Sequence, residues 1–151
     1  RSIGHISKKP HMKKLPNWQA DLFEFINANK AKGFAWGNWD CCLATNAAIK
    51  AMTGRDLIPK ELSWSDKKTA LKSISTYGNT LLACMDKACS IQGIEELALP
   101  YLGVGDFAVF EQNGREIVGI CDGTNLLGVG DNGWQTEPND AAVKAWRITR
   151  G

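Results

Sequence analysis

Asp40-Cys41-Cys42 is the stretch of this sequence best suited to chemistry. From Asp40 onward Leu43, Ala44, Ala47, Ala48 and Ala51 recur at spacings of three and four, which predicts a helix opening at this triplet. Asp40 suits the N-cap, because its carboxylate can accept the unpaired amide hydrogens of the first turn. Thr53-Gly54 closes the helix, with Gly54 able to take the left-handed conformation that ends helices. Cys41 and Cys42 then sit where exposed amides and the helix dipole favour a thiolate. The chemistry on offer is nucleophilic attack by sulfur. A second reading of Cys41 is a small buried side chain that packs the helix start on a sheet, cysteine being among the most buried residue types. Cys42 points about a third of a turn away and reads as core.

The remaining thiols do not assemble a metal site on paper. Cys84 and Cys89 are five apart and Cys121 stands alone, so the two-residue spacing of zinc knuckles is absent. An iron–sulfur site would need four thiolates converging from separate elements. No metal and no cofactor is expected. Five cysteines, two of them adjacent, argue for free thiols in a reducing compartment, because a disulfide wants alpha carbons about 5.5 Å apart. That places synthesis in the cytoplasm.

With 151 residues, 44% of them hydrophobic, the chain can bury the core of one domain. No apolar run nears the roughly 20 residues that span a bilayer, so no membrane span is expected. The head of the chain, RSIGHISKKPHM, lacks periodicity, and its His-Met junction resembles a cloning scar. Residues 1–11 are read as an expression-tag remnant, with 12–151 as the domain; a native basic arm is the competing reading. Both histidines, His5 and His11, lie in that head. The 18 basic residues, less Arg1, Lys8 and Lys9, leave 15 against 16 acidic, a net of −1. The apparent basicity disappears, and no nucleic acid partner is expected.

Around the triplet, a helix is predicted over about Trp18–Lys32, capped by Asn17, with Trp18, Leu22, Phe25 and Ile26 inward. Ser65 is read as the cap of a short helix to about Ser75, and Asn79 as the cap of another to about Cys89. On that last helix Leu81, Leu82, Met85 and Ala88 face inward. The period then changes to that of strands. Asp106–Glu111 and Glu116–Cys121 flank an Asn113-Gly114 hairpin turn. Leu126–Val129 and Trp134–Glu137 follow, then a helical turn around Asp140–Lys144 and a last strand, Ala145–Thr149. Helices first and an antiparallel meander afterwards predict an α+β domain.

An aromatic-x-Trp-Gly turn, Asp-Cys, a helix, Gly-Asp and Val-Gly-Ile followed by a Gly turn resemble the NlpC-type papain-like cysteine peptidases. Here these are Phe34–Gly37, Asp40-Cys41, Gly105-Asp106, Val118-Gly119-Ile120 and Gly123. The chain resembles more closely a family of small, uncharacterised phage and prophage proteins related to those peptidases. Thr53-Gly54-Arg55-Asp56, Gly119-Ile120-Cys121-Asp122-Gly123 and Ala145-Trp146-Arg147 complete that pattern, over about residues 16–149. The resemblance implies a papain-like α+β fold, N-terminal helices on a C-terminal antiparallel sheet, with Cys41 as nucleophile. It places the base immediately before Val118, where Ile117 stands, and the orienting polar residue around Leu126–Val129, where every side chain is apolar or absent. Asp122, Asp131, Glu116 and lysine are the substitute bases, none at the expected place.

Losing a proton shuttle forgoes a factor of roughly 10²–10⁴ in rate. The leading expectation is therefore a protein without its catalytic histidine, acting structurally in a phage tail or its assembly through a protein partner. The alternative is a peptidoglycan endopeptidase or amidase using Cys41, with Asp40 and Asp122 as accessory candidates. A third is an inhibitor or decoy that binds a host factor through the old cleft. Trp36, Asn38 and Trp39 are the candidate cleft residues, with packing the simpler role for Trp36. Among the acidic and basic singletons, Asp106 is expected to shape a strand entrance, Asp56 to satisfy loop amides, and Arg147 to pair with an acidic neighbour.

Overall fold

The computed structural model describes residues 11–151; residues 1–10, most of the stretch expected to be a tag remnant, lie outside the described residues. It contains four α-helices: α1 (Trp18–Ala28), α2 (Cys41–Thr53), α3 (Lys67–Tyr77) and α4 (Leu81–Ile91). Six strands follow: β1 (Glu95–Leu97), β2 (Phe107–Gln112), β3 (Arg115–Cys121), β4 (Asn125–Gly130), β5 (Gly133–Pro138) and β6 (Ala142–Arg147). They form one antiparallel sheet in the order β1-β6-β2-β3-β4-β5. The α+β class is as the period change requires. Among the described residues no helix is long and apolar enough to cross a membrane.

The elements follow local chemistry. Asn113 and Gly114 both take positive φ, the requirement of a two-residue hairpin turn, and they join β2 to β3. Asp131-Asn132 likewise links the closing pair Gly130↔Gly133. The alternation along β2 splits the core between two faces of the sheet. Phe107 and Val109 join Val118, Ile120, Ile49, Met52 and Trp146 on the helical side. Ala108 and Phe110 join Ile117, Cys121, Leu126 and Ala145 on the other. Phe107 and Trp146 stack at 5.7 Å. Met12 is also buried in the helical-side core, and its amide donates to Gln92 O.

Several boundaries differ from expectation, each for a local reason. α3 is capped by Asp66 rather than Ser65, because Asp66 and Thr69 form a reciprocal capping box. α4 is capped by Thr80; Asn79 instead takes φ +76°, and its amide donates back to Ile74 O. Asn17 makes no side-chain cap bond, and α1 stops at Ala28, where Asn29 folds its side chain onto Phe25 O. The turn after β5 is a 3-10 helix at Asn139–Ala141, and β6 begins at Ala142. β1 was not anticipated; its Glu95 and Glu96 are exposed, and it is held by pairing with β6.

Candidate functional site

Asp40 organises the tip of α2. Its side chain is buried, and Oδ1 accepts from the Leu43 amide at 2.9 Å, which caps the helix. Oδ2 accepts from the Gly37 amide at 3.0 Å and from Trp64 Nε1 at 2.7 Å. One carboxylate thus ties helix, aromatic turn and connector together. Gly37 has φ +76°, and a Cβ there would overlap the Trp64 carbonyl, so the turn needs glycine.

Cys41 follows, half-buried, where α2 meets β3. Asp122 N donates to Asn125 O, so the β3 residues whose peptide groups aim at β4 are Ile120 and then Val118. The β3–β4 register runs through Cys121↔Leu126 and Ile120↔Leu127. At Val118 the helix takes over: its carbonyl accepts from Thr45 Oγ1 at 3.3 Å, and its amide hydrogen-bonds to the Cys41 sulfur. α2 is a wedge that supplies, through Cys41 and Thr45, what a neighbouring strand would supply.

The two thiols of the triplet are pushed in opposite directions. A hydrogen bond from the Cys42 thiol lowers the Cys41 pKa below the ordinary thiol value. Burial opposes it, the Val118 amide and the Arg115 charge assist, and Asp40 works against. Cys42 is pushed well up, because ionising it would break the same bond, and burial adds to this. Of the two thiols, Cys41 is therefore the one that ionises more readily.

A cavity of about 340 Å³ opens beside it. Phe34 and Trp36 of the aromatic turn, Trp64, and Leu71 and Ile74 of α3 form one wall. The opposite wall is the tips of the two hairpins, with Arg115, Glu116 and Ile117 on one and Gly130, Asp131 and Gln135 on the other. Ile117, where the resemblance calls for a base, is 8% exposed and lines this cavity with Cys41. Gly128 sits beside it; a Cβ there would lie 3.1 Å from Ile117 Cγ2. Cys41 and Ile117 thus line one cavity, and neither the Ile117 side chain nor Gly128 can carry a proton.

The other candidates divide. Asp40, Cys41 and Trp36 are brought to the cavity. Trp39 is not a cleft residue: it is 2% exposed, packed between Phe25 at 5.9 Å and Trp134 at 5.5 Å, with Lys32 Nζ over its ring. Asn38 is exposed in the turn and does not line the cavity. Asp122 lies past the far end of β3, where Oδ1 accepts from the Thr124 and Asn125 amides and closes a turn. Glu116 accepts from the Leu82 amide at the start of α4. Asp131 is exposed at the rim. Asp56 differs from expectation: it bonds Asn46 Nδ2 and Lys50 Nζ, while Asn46 Oδ1 takes the Leu57 and Ile58 amides. Sequence reasoning missed Trp64, Leu71 and Thr45; the Trp-Ser-Asp run before α3 was the available signal for Trp64.

Residues 13–148 match a family described as a domain of unknown function (DUF6950). The chain belongs to that family. The matched span takes in α2, the cavity and the whole sheet of this DUF6950 protein. No curated protein matches it.

Proposed function

We propose that this DUF6950 protein is a papain-like, NlpC-type domain of phage or prophage lineage that has lost its catalytic base and acts as a structural or assembly protein of the tail. The observation that carries the reading is that Ile117 lines the cavity together with Cys41, with Gly128 next to Ile117. In a cysteine peptidase the group at that place takes the thiol proton, returns it to the leaving amine and activates water. An alkyl side chain does none of these. Asp40, the nearest carboxylate in sequence, already accepts from three donors and is held as a cap. The tail assignment rests on the motif resemblance, and the partner is a protein.

The specific observation favouring a hydrolase is the lowered Cys41 pKa, which enriches the nucleophilic form. Digestion of purified muropeptides, followed by mass spectrometry, separates the two. The structural reading expects no cleavage above a Cys41→Ser control. Cleavage that disappears in that control assigns a peptidoglycan hydrolase.

A further inference from the structure

We propose that α3, with Trp64 at its entrance, is a lid whose opening joins two cavities and uncovers the Cys42 and Cys84 thiols. This does not depend on whether Cys41 is catalytic. α3 is lightly packed: Ala70 is its one buried residue, and Leu71 is 55% exposed. A second cavity of about 50 Å³ lies beneath it, walled by Leu57, Tyr77, Cys84 and Met85 among others. Cys42, Trp64, Ile74 and Leu81 border both cavities, so they are the partition between them. Voids on both sides forfeit dispersion contacts that hold other helices in place. Elements with few buried contacts open at a free energy below that of global unfolding.

α3 is also built to move as a unit. Its first turn is closed by the Asp66–Thr69 capping box and its last by the Gly78 and Asn79 amides on Ile74 O. Neither end therefore loses its cap on displacement. Its polar ties are few: Trp64 Nε1 to Asp40 Oδ2 at 2.7 Å, Cys84 Sγ to Ile74 O at 3.2 Å, and the exposed pairs Ser73 Oγ to Ser63 O at 3.3 Å and Lys87 Nζ to Tyr77 O at 3.1 Å, with Lys87 Nζ also over the Tyr77 ring. The first is the latch. Releasing it leaves Oδ1 on the Leu43 amide, so α2 keeps its cap. The Tyr77 hydroxyl points the other way energetically. It is buried with no protein hydrogen-bond partner, so opening hydrates a group that closure leaves unsatisfied.

The test is iodoacetamide labelling of the full chain, read cysteine by cysteine by peptide mass spectrometry. Trp64→Phe keeps an aromatic ring and removes the latch. Labelling of Cys42 and Cys84 is expected to rise about tenfold, with Cys89 and Cys121 unchanged, whereas Tyr77→Phe removes the unsatisfied hydroxyl and slows the same two by several-fold. Unchanged rates at Cys42 and Cys84 in Trp64→Phe, acceleration of all five thiols together, or no slowing in Tyr77→Phe would each overturn the lid.

Discussion

Arg147 and Asp106 meet through two parallel hydrogen bonds, Nε to Oδ1 at 2.9 Å and Nη2 to Oδ2 at 2.7 Å. The pair joins β6 to the entrance of β2. Asp106 is fully buried and also accepts from the Gly103 amide at 2.7 Å, while Arg147 extends to Tyr101 O. Removing one partner from a buried charge costs more than the pair contributes, because the other is left unmatched. Arg147→Ala is expected to lower unfolding free energy by about 2–3 kcal/mol in urea titration. Arg147→Lys restores part of it, since an ammonium cannot span both oxygens. A loss under about 0.5 kcal/mol would mark the pair as an ordinary surface contact.

Asp40 is expected to matter for the fold whether or not Cys41 reacts. Asp40→Ala deletes the cap of α2 and leaves the Gly37 amide and Trp64 Nε1 without their acceptor. The expected cost is about 3 kcal/mol, and Asp40→Asn, which keeps one acceptor oxygen, loses about half of that. Equal losses for both variants would show that the charge, not the acceptors, carries the effect.

Cys41 has a packing role that can be separated from reactivity. Its sulfur occupies the Val118 amide where a strand would otherwise do so. A serine hydroxyl can still accept that hydrogen bond, whereas alanine leaves the amide unmatched. Cys41→Ala is expected to cost about 1–2 kcal/mol and Cys41→Ser less than about 1. A neutral alanine variant would remove Cys41 from the wedge.

Alkaline pH is expected to destabilise the fold. The Cys42 thiol is pushed up by its bond to Cys41, and burial raises Cys84, Cys89 and Cys121. An acid raised on folding keeps its proton after the unfolded chain, with thiols near about 8.5, has begun to ionise. Its stabilising contribution is whole below that pH and declines above it. The lowered pKa values of Cys41 and Lys14 act in the opposite sense, while the Tyr77 hydroxyl, raised by burial, adds to the fall towards pH 10. The urea midpoint is therefore expected to fall between about pH 8 and 10, and Cys89→Ala to flatten the fall. A midpoint that rises over that range would contradict these directions.

The parts of the molecule legible in its sequence are those fixed by near neighbours. Asp40 as cap, Gly54 in the left-handed region and Asn113-Gly114 as a turn each depend on a few adjacent residues, and each is observed. What escaped depends on residues far apart in the chain. Trp39 is core because Phe25 and Trp134 close on it, which no local pattern reveals. Trp64 reaches Asp40 across 24 positions. β1 is too short and too acidic to announce itself and exists through β6. Within the site, helical spacing marked Cys41 as a thiol at the tip of α2, whereas Ile117 was singled out by the resemblance alone. The cavity itself required α3, whose sparse apolar pattern says nothing of what it covers.

A single stopped-flow trace with p-nitrophenyl acetate tests the proposed loss of a catalytic base most directly. A thiolate can take the acetyl group and release p-nitrophenolate, but regenerating the thiol requires an activated water. A burst of about one p-nitrophenolate per chain, absent in Cys41→Ser, is expected, followed by no turnover above that control. Sustained turnover lost on replacing Cys41 would mean that a proton acceptor serves the sulfur after all.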